Sequence, residues 1–226
     1  IFKLIKITTD LGVNKIRFTG GEPLLRTEIF EIINFTKNIK TVKSINLTTN
    51  GILLSDMLNE LKSSGLSGIN ISIDTLNPEK YKTISRRDSL DEVLDSFHQI
   101  TNQNLFKIKI NVVAMKNFND DELVDFVELT KYNDITVRFI ELMPFDSRQI
   151  WKTGKFYKAG EILSDLKLKY NNLIKEQGSS TEYHIFRLKG YVGKVAIIPS
   201  YTRSLCGKCN RIRITADGNL LNCLYS

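Results

Sequence analysis

The sequence predicts an α/β fold built on a parallel sheet, and two observations carry that prediction. Short β-branched runs alternate with amphipathic stretches, the pattern of repeated strand–helix units. The runs also tend to end in polar or glycine-containing residues, as strands do when a ligand site lies at their C-terminal ends. The strand-like runs are Lys15–Thr19, Ile45–Thr49, Ile69–Ile73, Ile108–Val113 and Thr136–Ile140. The stretches with helical spacing are Thr27–Asn38, with Ile29, Phe30, Ile33 and Phe35, then Ser89–Thr101, with Leu90, Val93, Leu94, Phe97 and Ile100, and Asp120–Lys131, with Leu123, Phe126, Val127 and Leu129. Each carries one apolar stripe at the helical period. Ser89 followed by Glu92 reads as a capping box opening the second helix. The runs end in Thr19-Gly20-Gly21-Glu22, Thr49-Asn50-Gly51, Ser72-Ile73-Asp74 and Glu141-Leu142-Met143-Pro144.

Beyond about Trp151 the pattern changes. A helix is expected over Ala159–Tyr170, a polar stretch over Glu176–Thr181, and short strands over Tyr183–Leu188 and Lys194–Ile198. Asp217-Gly218 reads as a turn joining Arg211–Thr215 to Leu220–Cys223. The organisation expected is a partial barrel over 1–150 and, over 151–226, a C-terminal segment covering its open mouth.

Composition narrows the function classes. The 226 residues are 42% hydrophobic and 25% charged, ordinary for a globular chain. No apolar run is long enough to span a membrane, and Ile1–Leu11 interrupts its apolar residues with Lys3, Lys6 and Asp10, unlike a signal peptide. The net charge of +7 comes from scattered lysines rather than a basic block, so no nucleic-acid partner is expected. The three cysteines, Cys206, Cys209 and Cys223, are odd in number and clustered. That is a poor disulfide framework and a good metal or cluster site in a reducing, cytoplasmic compartment.

Three features carry chemistry. Cys206-Gly207-Lys208-Cys209 with Cys223 gives a C-x2-C-x13-C arrangement. Two thiolates two residues apart grip one centre and the third returns on a hairpin. Spacing alone leaves two readings open: a zinc site with a further ligand such as His184, or a 4Fe-4S cluster with one iron open to substrate. Second, Thr19-Gly20-Gly21-Glu22-Pro23 follows a strand directly. Its glycines allow close backbone approach to a ligand and Pro23 fixes the following turn, but it is neither a Walker loop nor a dinucleotide fingerprint. Third, basic residues lie within strands: Lys15, Arg17, Lys109, Arg138, Arg211 and Arg213. Lys15 and Arg17 share a face, as do Arg211 and Arg213, because strand side chains alternate. Taken singly each is as well explained as an exposed edge charge; converging, they would bind phosphate.

Four segments then carry a resemblance. They are K-I-R-F-T-G-G-E-P-L-L-R at Lys15–Arg26, L-T-T-N-G at Leu47–Gly51, N-I-S-I-D-T-L at Asn70–Leu76 and R-F-I-E-L-M-P at Arg138–Pro144. With the tail C-G-x-C-N-R-x-R-x-T-x-D-G-x-L-x-x-C over Cys206–Cys223, the sequence resembles the GTP 3′,8-cyclase (MoaA) family of radical S-adenosylmethionine (SAM) enzymes along essentially its whole length. The resemblance implies an incomplete parallel (β/α)6 radical SAM barrel with a C-terminal covering segment. It implies a lyase of molybdenum cofactor (molybdopterin) biosynthesis that converts GTP to (8S)-3′,8-cyclo-7,8-dihydroguanosine 5′-triphosphate. In that family a 5′-deoxyadenosyl radical removes hydrogen from the ribose.

Position by position, the resemblance implies that Gly20, Gly21, Glu22 and Pro23 hold the methionine amino group of SAM, and that Ser72 and Met143 also contact SAM. It implies GTP contacts from Arg17, Thr48 and Lys109, with Lys15 beside them, and from Arg211, Ile212 and Arg213. Cys206, Cys209 and Cys223 are implied to be ligands of the second of the family's two 4Fe-4S clusters. Implied partners are an electron donor and the downstream cyclic pyranopterin monophosphate synthase, and a homodimer is compatible with the sequence. One departure stands out: the family's C-x3-C-x2-C motif on the first barrel strand has no counterpart, since no cysteine precedes Cys206. The expectation is a truncated chain whose first strand lies upstream of Ile1, unable by itself to start the reaction. The alternatives are a non-catalytic nucleotide- and metal-binding barrel, or another radical SAM enzyme with an auxiliary cluster.

Overall fold

The computed structural model of the chain describes residues 1–143, 155–176, 184–202 and 209–223. It forms two compact units, Ile1–Ile73 with Tyr81–Ile110, and Asp74–Lys80 with Asn111–Ser226.

In the first unit, β1 (Lys15–Phe18), β2 (Ser44–Thr49) and β3 (Gly68–Ser72) pair in parallel, in that order. The helices are α1 (Phe2–Asp10), α2 (Ile29–Lys37), α3 (Leu58–Ser64), α4 (Pro78–Ser85), which spans the boundary, and α5 (Leu90–Asn102). Ile45, Leu47 and Thr49 of β2 are buried while the alternate residues are half-buried, and Gly68–Ile71 of β3 is buried throughout. Near-continuous burial is what a parallel strand covered on both faces shows. Leu90, Val93, Phe97 and Ile100 form the buried stripe of α5 as the periodicity predicts. On α2 the stripe is Ile29, Ile32, Ile33 and Thr36, whereas Phe35 lies outside it and meets Phe2 edge-on with ring centroids 4.8 Å apart. Ser89 does occupy the N-cap of α5, but its side chain makes no capping hydrogen bond, so the box read from the sequence is not formed.

The strand β4 (Lys107–Ala114) begins in the first unit and ends in the second. In the second unit a short 3-10 turn, Asp120–Glu122, leads into α6 (Leu123–Glu128), followed by β5 (Ile135–Glu141), α7 (Ala159–Lys169), β6 (Leu173–Glu176), β7 (His184–Leu188) and β8 (Lys194–Ile198). The strand order is β5-β8-β7-β6, with β8 parallel to β5 and both β7 pairings antiparallel. Residues after 151 therefore extend the same sheet as β5. The core gathers Phe126, Val137, Phe139, Tyr157, Ile162, Leu166 and Val195, all fully buried. A last hairpin pairs β9 (Arg213–Ile214) with β10 (Leu220–Leu221), shorter than the runs expected there. Helix α7 carries one half of a capping box at its start, Glu161 Oε2 accepting from Lys158 N–H at 2.9 Å. No helix among the described residues is long and apolar enough to cross a membrane.

Candidate functional site

The first unit presents a polar sheet face. Register pairs Lys15 with Ser44, Arg17 with Asn46 and Thr48 with Asn70, and paired residues of a parallel sheet point the same way. Lys15, Arg17, Asn46, Thr48, Asn70 and Ser72 therefore share one face, while Ile45, Leu47, Ile69 and Ile71 fill the buried face. Asn70 is buried and donates from Nδ2 to Thr48 Oγ1 at 3.1 Å. Lys15, Arg17 and Ser72 are exposed, and Lys109 on β4 is half-buried. Asn46 and Asn70 were not singled out from the sequence, although a polar residue at every second position of a buried strand was the available signal.

The turn after β1 meets the turn after β2 through one carboxylate. Glu22 Oε1 accepts from Leu24 N–H at 3.1 Å and Thr49 Oγ1–H at 2.8 Å, and Oε2 accepts from Asn50 N–H at 2.8 Å. Both oxygens of Glu22 thus tie T-G-G-E-P to T-T-N-G, with one acceptor position of Oε2 still open, and Pro23 is buried at the start of the 3-10 turn Pro23–Leu25. Gly20 and Gly21 are exposed, with open space where a Cβ would stand, and Gly20 has φ +145°. That backbone disfavours any side chain, and the open peptides are accessible to a ligand.

In the second unit, the segment after β3 is held from several directions. Glu122, buried, accepts from Thr75 Oγ1–H at 2.7 and 2.9 Å, from Leu76 N–H at 2.6 Å and from Lys80 Nζ at 2.9 Å. Lys80 also meets Asp121 at 2.7 Å. Burial pulls the Lys80 ammonium down, but its bonds to Asp121 and Glu122 outweigh this and raise it. Asn119 donates to the backbone oxygens of Asp74 and Val113, at 2.6 and 2.9 Å. Asp74 accepts from Val113 N–H at 2.8 Å, and desolvation pushes its carboxyl up to about 6 against that bond. Arg138 is buried inside β5, its Nε donating to Asn111 Oδ1 at 2.8 Å and Nη2 to the same atom. Met143 is half-buried, directly beyond β5. Pro144 and Cys206 lie outside the described residues.

The last hairpin gathers the remaining residues. Arg211, Ile212 and Arg213 are exposed, as is Cys209, and Cys223 is half-buried. The Arg213 guanidinium, partly desolvated although the residue is exposed overall, is lowered by that burial and by repulsion from Arg211. Cys223 and Cys209 oppose the shift. Arg211, Cys209 and Cys223 therefore all sit within electrostatic reach of Arg213. His184 lies half-buried on β7, opposite Ile197. Among the described residues no three His, Cys, Asp or Glu side chains gather, so His184 does not join Cys209 and Cys223.

Comparison with known proteins decides the family. The Radical SAM superfamily profile matches residues 1–130 and that of Molybdenum Cofactor Synthesis C matches 135–226. The GTP 3′,8-cyclase of Chlorobaculum tepidum is 44% identical over 223 residues, 99% of this chain and 68% of that protein. The chain belongs to the GTP 3′,8-cyclase family of radical SAM enzymes. The GTP 3′,8-cyclase of Alkaliphilus oremlandii is 42% identical over 100% of this chain and 70% of its own length. Molybdenum cofactor biosynthesis protein 1 of Bos taurus is 42% identical over 100% of this chain and 36% of its own length. Among solved structures, Streptococcus suis SuiB bound to S-adenosylmethionine superposes with TM-score 0.65 at 14% identity, covering 99% of this chain and 52% of SuiB. That match shows the radical SAM fold.

A radical SAM protein uses SAM with an iron–sulfur cluster; the Gly20–Gly21 turn suits SAM, and Cys209 with Cys223 suits a cluster, while no cysteine lies near that turn in the sequence. Accessible Gly20 and Gly21 peptides suit an ammonium, which backbone carbonyls satisfy. The hairpin brings Cys223 back toward Cys209 around Arg213, a soft donor pair beside a cation.

Proposed function

We propose that this chain performs the GTP-binding half of the GTP 3′,8-cyclase reaction, and that Cys206, Cys209 and Cys223 hold a 4Fe-4S cluster with one iron open to substrate. The observation that carries the reading is the hairpin, where Arg211 and Arg213 lie in the same electrostatic environment as Cys209 and Cys223. A guanidinium there serves two ends, offsetting thiolate charge and giving charge-assisted hydrogen bonds to phosphate. Ile212 lies between the arginines, directly before β9. Arg17, Thr48 and Lys109 supply further GTP contacts, with Lys15 beside Arg17 on the polar face.

SAM and its cluster, when bound, supply the hydrogen-abstracting radical, so the protein's part is binding and orientation. Gly20 and Gly21 offer backbone to the methionine amino group, and Ser72 and Met143 complete the contacts. Glu22, engaged by Leu24, Thr49 and Asn50, also shapes the Gly20–Gly21 turn that it shares with Pro23. The fold requires no conventional general base. The product is expected to pass to cyclic pyranopterin monophosphate synthase, and an electron donor is required.

Anaerobic reconstitution tests the reading. The chain should turn brown and hold about four irons and four sulfides. Arg213→Ala should bind GTP roughly 10- to 150-fold more weakly, about 1.5–3 kcal/mol for a charged contact. Stoichiometric zinc without sulfide, together with equal GTP affinities, would replace it with a non-catalytic metal-binding barrel.

A further inference from the structure

The carboxylate of Glu141 is only 1% exposed and stands at the last position of β5. Four hydrogen bonds converge on it. Oε1 accepts from Ala159 N–H and from the Thr202 hydroxyl, both at 2.6 Å. Oε2 accepts from Tyr201 N–H at 2.8 Å and Thr202 N–H at 2.9 Å. The first donor opens α7, where a negative charge also suits the helix dipole. The other three belong to the chain just after β8, which pairs in parallel with β5 up to Ile140 and Ile198. Tyr201 is held from a second side, its ring edge-on to Phe156 at 5.2 Å, and Phe156 bridges to Met115 beyond β4.

The placement matters for what comes next in the sequence. Cys206 is the fourth residue after Thr202, and Met143 the second after Glu141. One buried carboxylate thus fixes the chain on its way to the cysteine-bearing segment while sitting beside the residue assigned to SAM. A surface helix cap would need one or two donors; this group takes three from a single dipeptide, including both of its backbone N–H groups. We propose that Glu141 is a positioning residue that sets the starting point of the cysteine-bearing arm, and thereby governs loading of its cluster and affinity for GTP. The proposal rests on the cluster reading above.

The test uses the chain as it stands, whose three cysteines make all thiolate-ligated iron a report on this one site. Glu141→Gln keeps the volume but turns one oxygen into a donor, which must then face N–H or O–H groups. Thr202→Val keeps the shape of an exposed residue and removes one hydroxyl. After anaerobic reconstitution, Glu141→Gln should hold less than about half the wild-type iron and sulfide. Its GTP dissociation constant should rise about tenfold, as expected from the loss of one charged contact or more, with an unchanged far-UV circular dichroism spectrum. The electron paramagnetic resonance spectrum of the reduced cluster should also lose its response to GTP. Thr202→Val should shift both quantities the same way by about twofold, and it decides the matter if Glu141→Gln does not fold. A merely structural role would lower the melting temperature while leaving iron content, spectrum and GTP affinity of the folded variants at wild-type values, and that result overturns the proposal. Wild-type chain that takes up no iron overturns the cluster reading with it, whereas normal wild-type loading with unaffected variants overturns this inference alone.

Discussion

Gly51 shows how tightly a single residue of the T-T-N-G motif is determined. Its φ of +89° favours glycine, and an added Cβ would stand 3.0 Å from both Ile71 Cγ2 and Val93 Cγ1. Strain and crowding act together, so Gly51→Ala should destabilise the fold by roughly 1–3 kcal/mol, read as a lower denaturant midpoint at unchanged slope. Asp74 makes a different statement, about pH. Desolvation raises its carboxyl from 3.8 to about 6, only partly countered by Val113 N–H. The folded state then binds more protons than the unfolded one between about pH 4 and 6, so this group's contribution falls as pH rises through that window. Asp74→Asn should flatten that part of the stability curve, measured as melting temperature against pH. An identical slope in the variant would show that Asp74 is not the titrating group. Neither property was legible in the sequence, because both depend on what packs around the residue.

At the scale of elements, Glu122 joins the turn before α6 to the segment after β3 through Thr75, Leu76 and Lys80. Glu122→Ala leaves the buried Thr75 hydroxyl and the part-buried Leu76 N–H without their acceptor while Lys80 keeps Asp121, so about 1–3 kcal/mol should be lost, measured by urea denaturation. Lys80→Met should cost less, because Thr75 and Leu76 still satisfy the carboxylate. The strands β1 to β5, and helices α2, α5 and α7, were legible because each carries a period that its burial repeats, as Leu90, Val93, Phe97 and Ile100 do on α5. The helix α1 was not, since only Ile5 and Thr9 of it are buried and the exposed Ile7 and Leu4 blur its stripe. The strand β6 escaped too: Leu-Ile-Lys-Glu has no alternation, and its pairing is reinforced instead by Glu176, which reaches Arg187 at 2.8 Å and Lys194 at 2.6 Å. The strands β7 and β8 were expected as short runs with no pairing direction, and the short turn over 189–193 sets them antiparallel. At the site, the motifs located the turns, but their inner wiring was invisible. Glu22 reads as a ligand residue in sequence, and that it also braces two turns was invisible there, since its partners Thr49 and Asn50 lie in another motif. Arg138 was visible as a charge inside a strand; that Asn111 holds it was not.

For the whole molecule, the decisive quantity is the count of thiolates. A cluster that chelates the methionine group of SAM needs three protein thiolates and one open iron, and so does a cluster that meets substrate. This chain has three cysteines, all within its last 21 residues, at positions 206, 209 and 223. Three ligands satisfy one such cluster, and the electrostatic coupling of Cys209 and Cys223 to Arg213 is the ground on which we propose that they serve the GTP side. The turn at Gly20 and Gly21, proposed above to contact SAM, has no cysteine near it in the sequence. The 226-residue chain should therefore bind GTP and one cluster, yet form no 5′-deoxyadenosine above background when incubated anaerobically with SAM, GTP and dithionite. A version extended at its N-terminus by a family C-x3-C-x2-C strand should form it, with iron rising from about four to about eight per chain. The two measurements separate the assignments. If the unextended chain makes 5′-deoxyadenosine at the rate of the extended one, Cys206, Cys209 and Cys223 serve SAM rather than GTP, and Arg213→Ala should then leave GTP affinity unchanged.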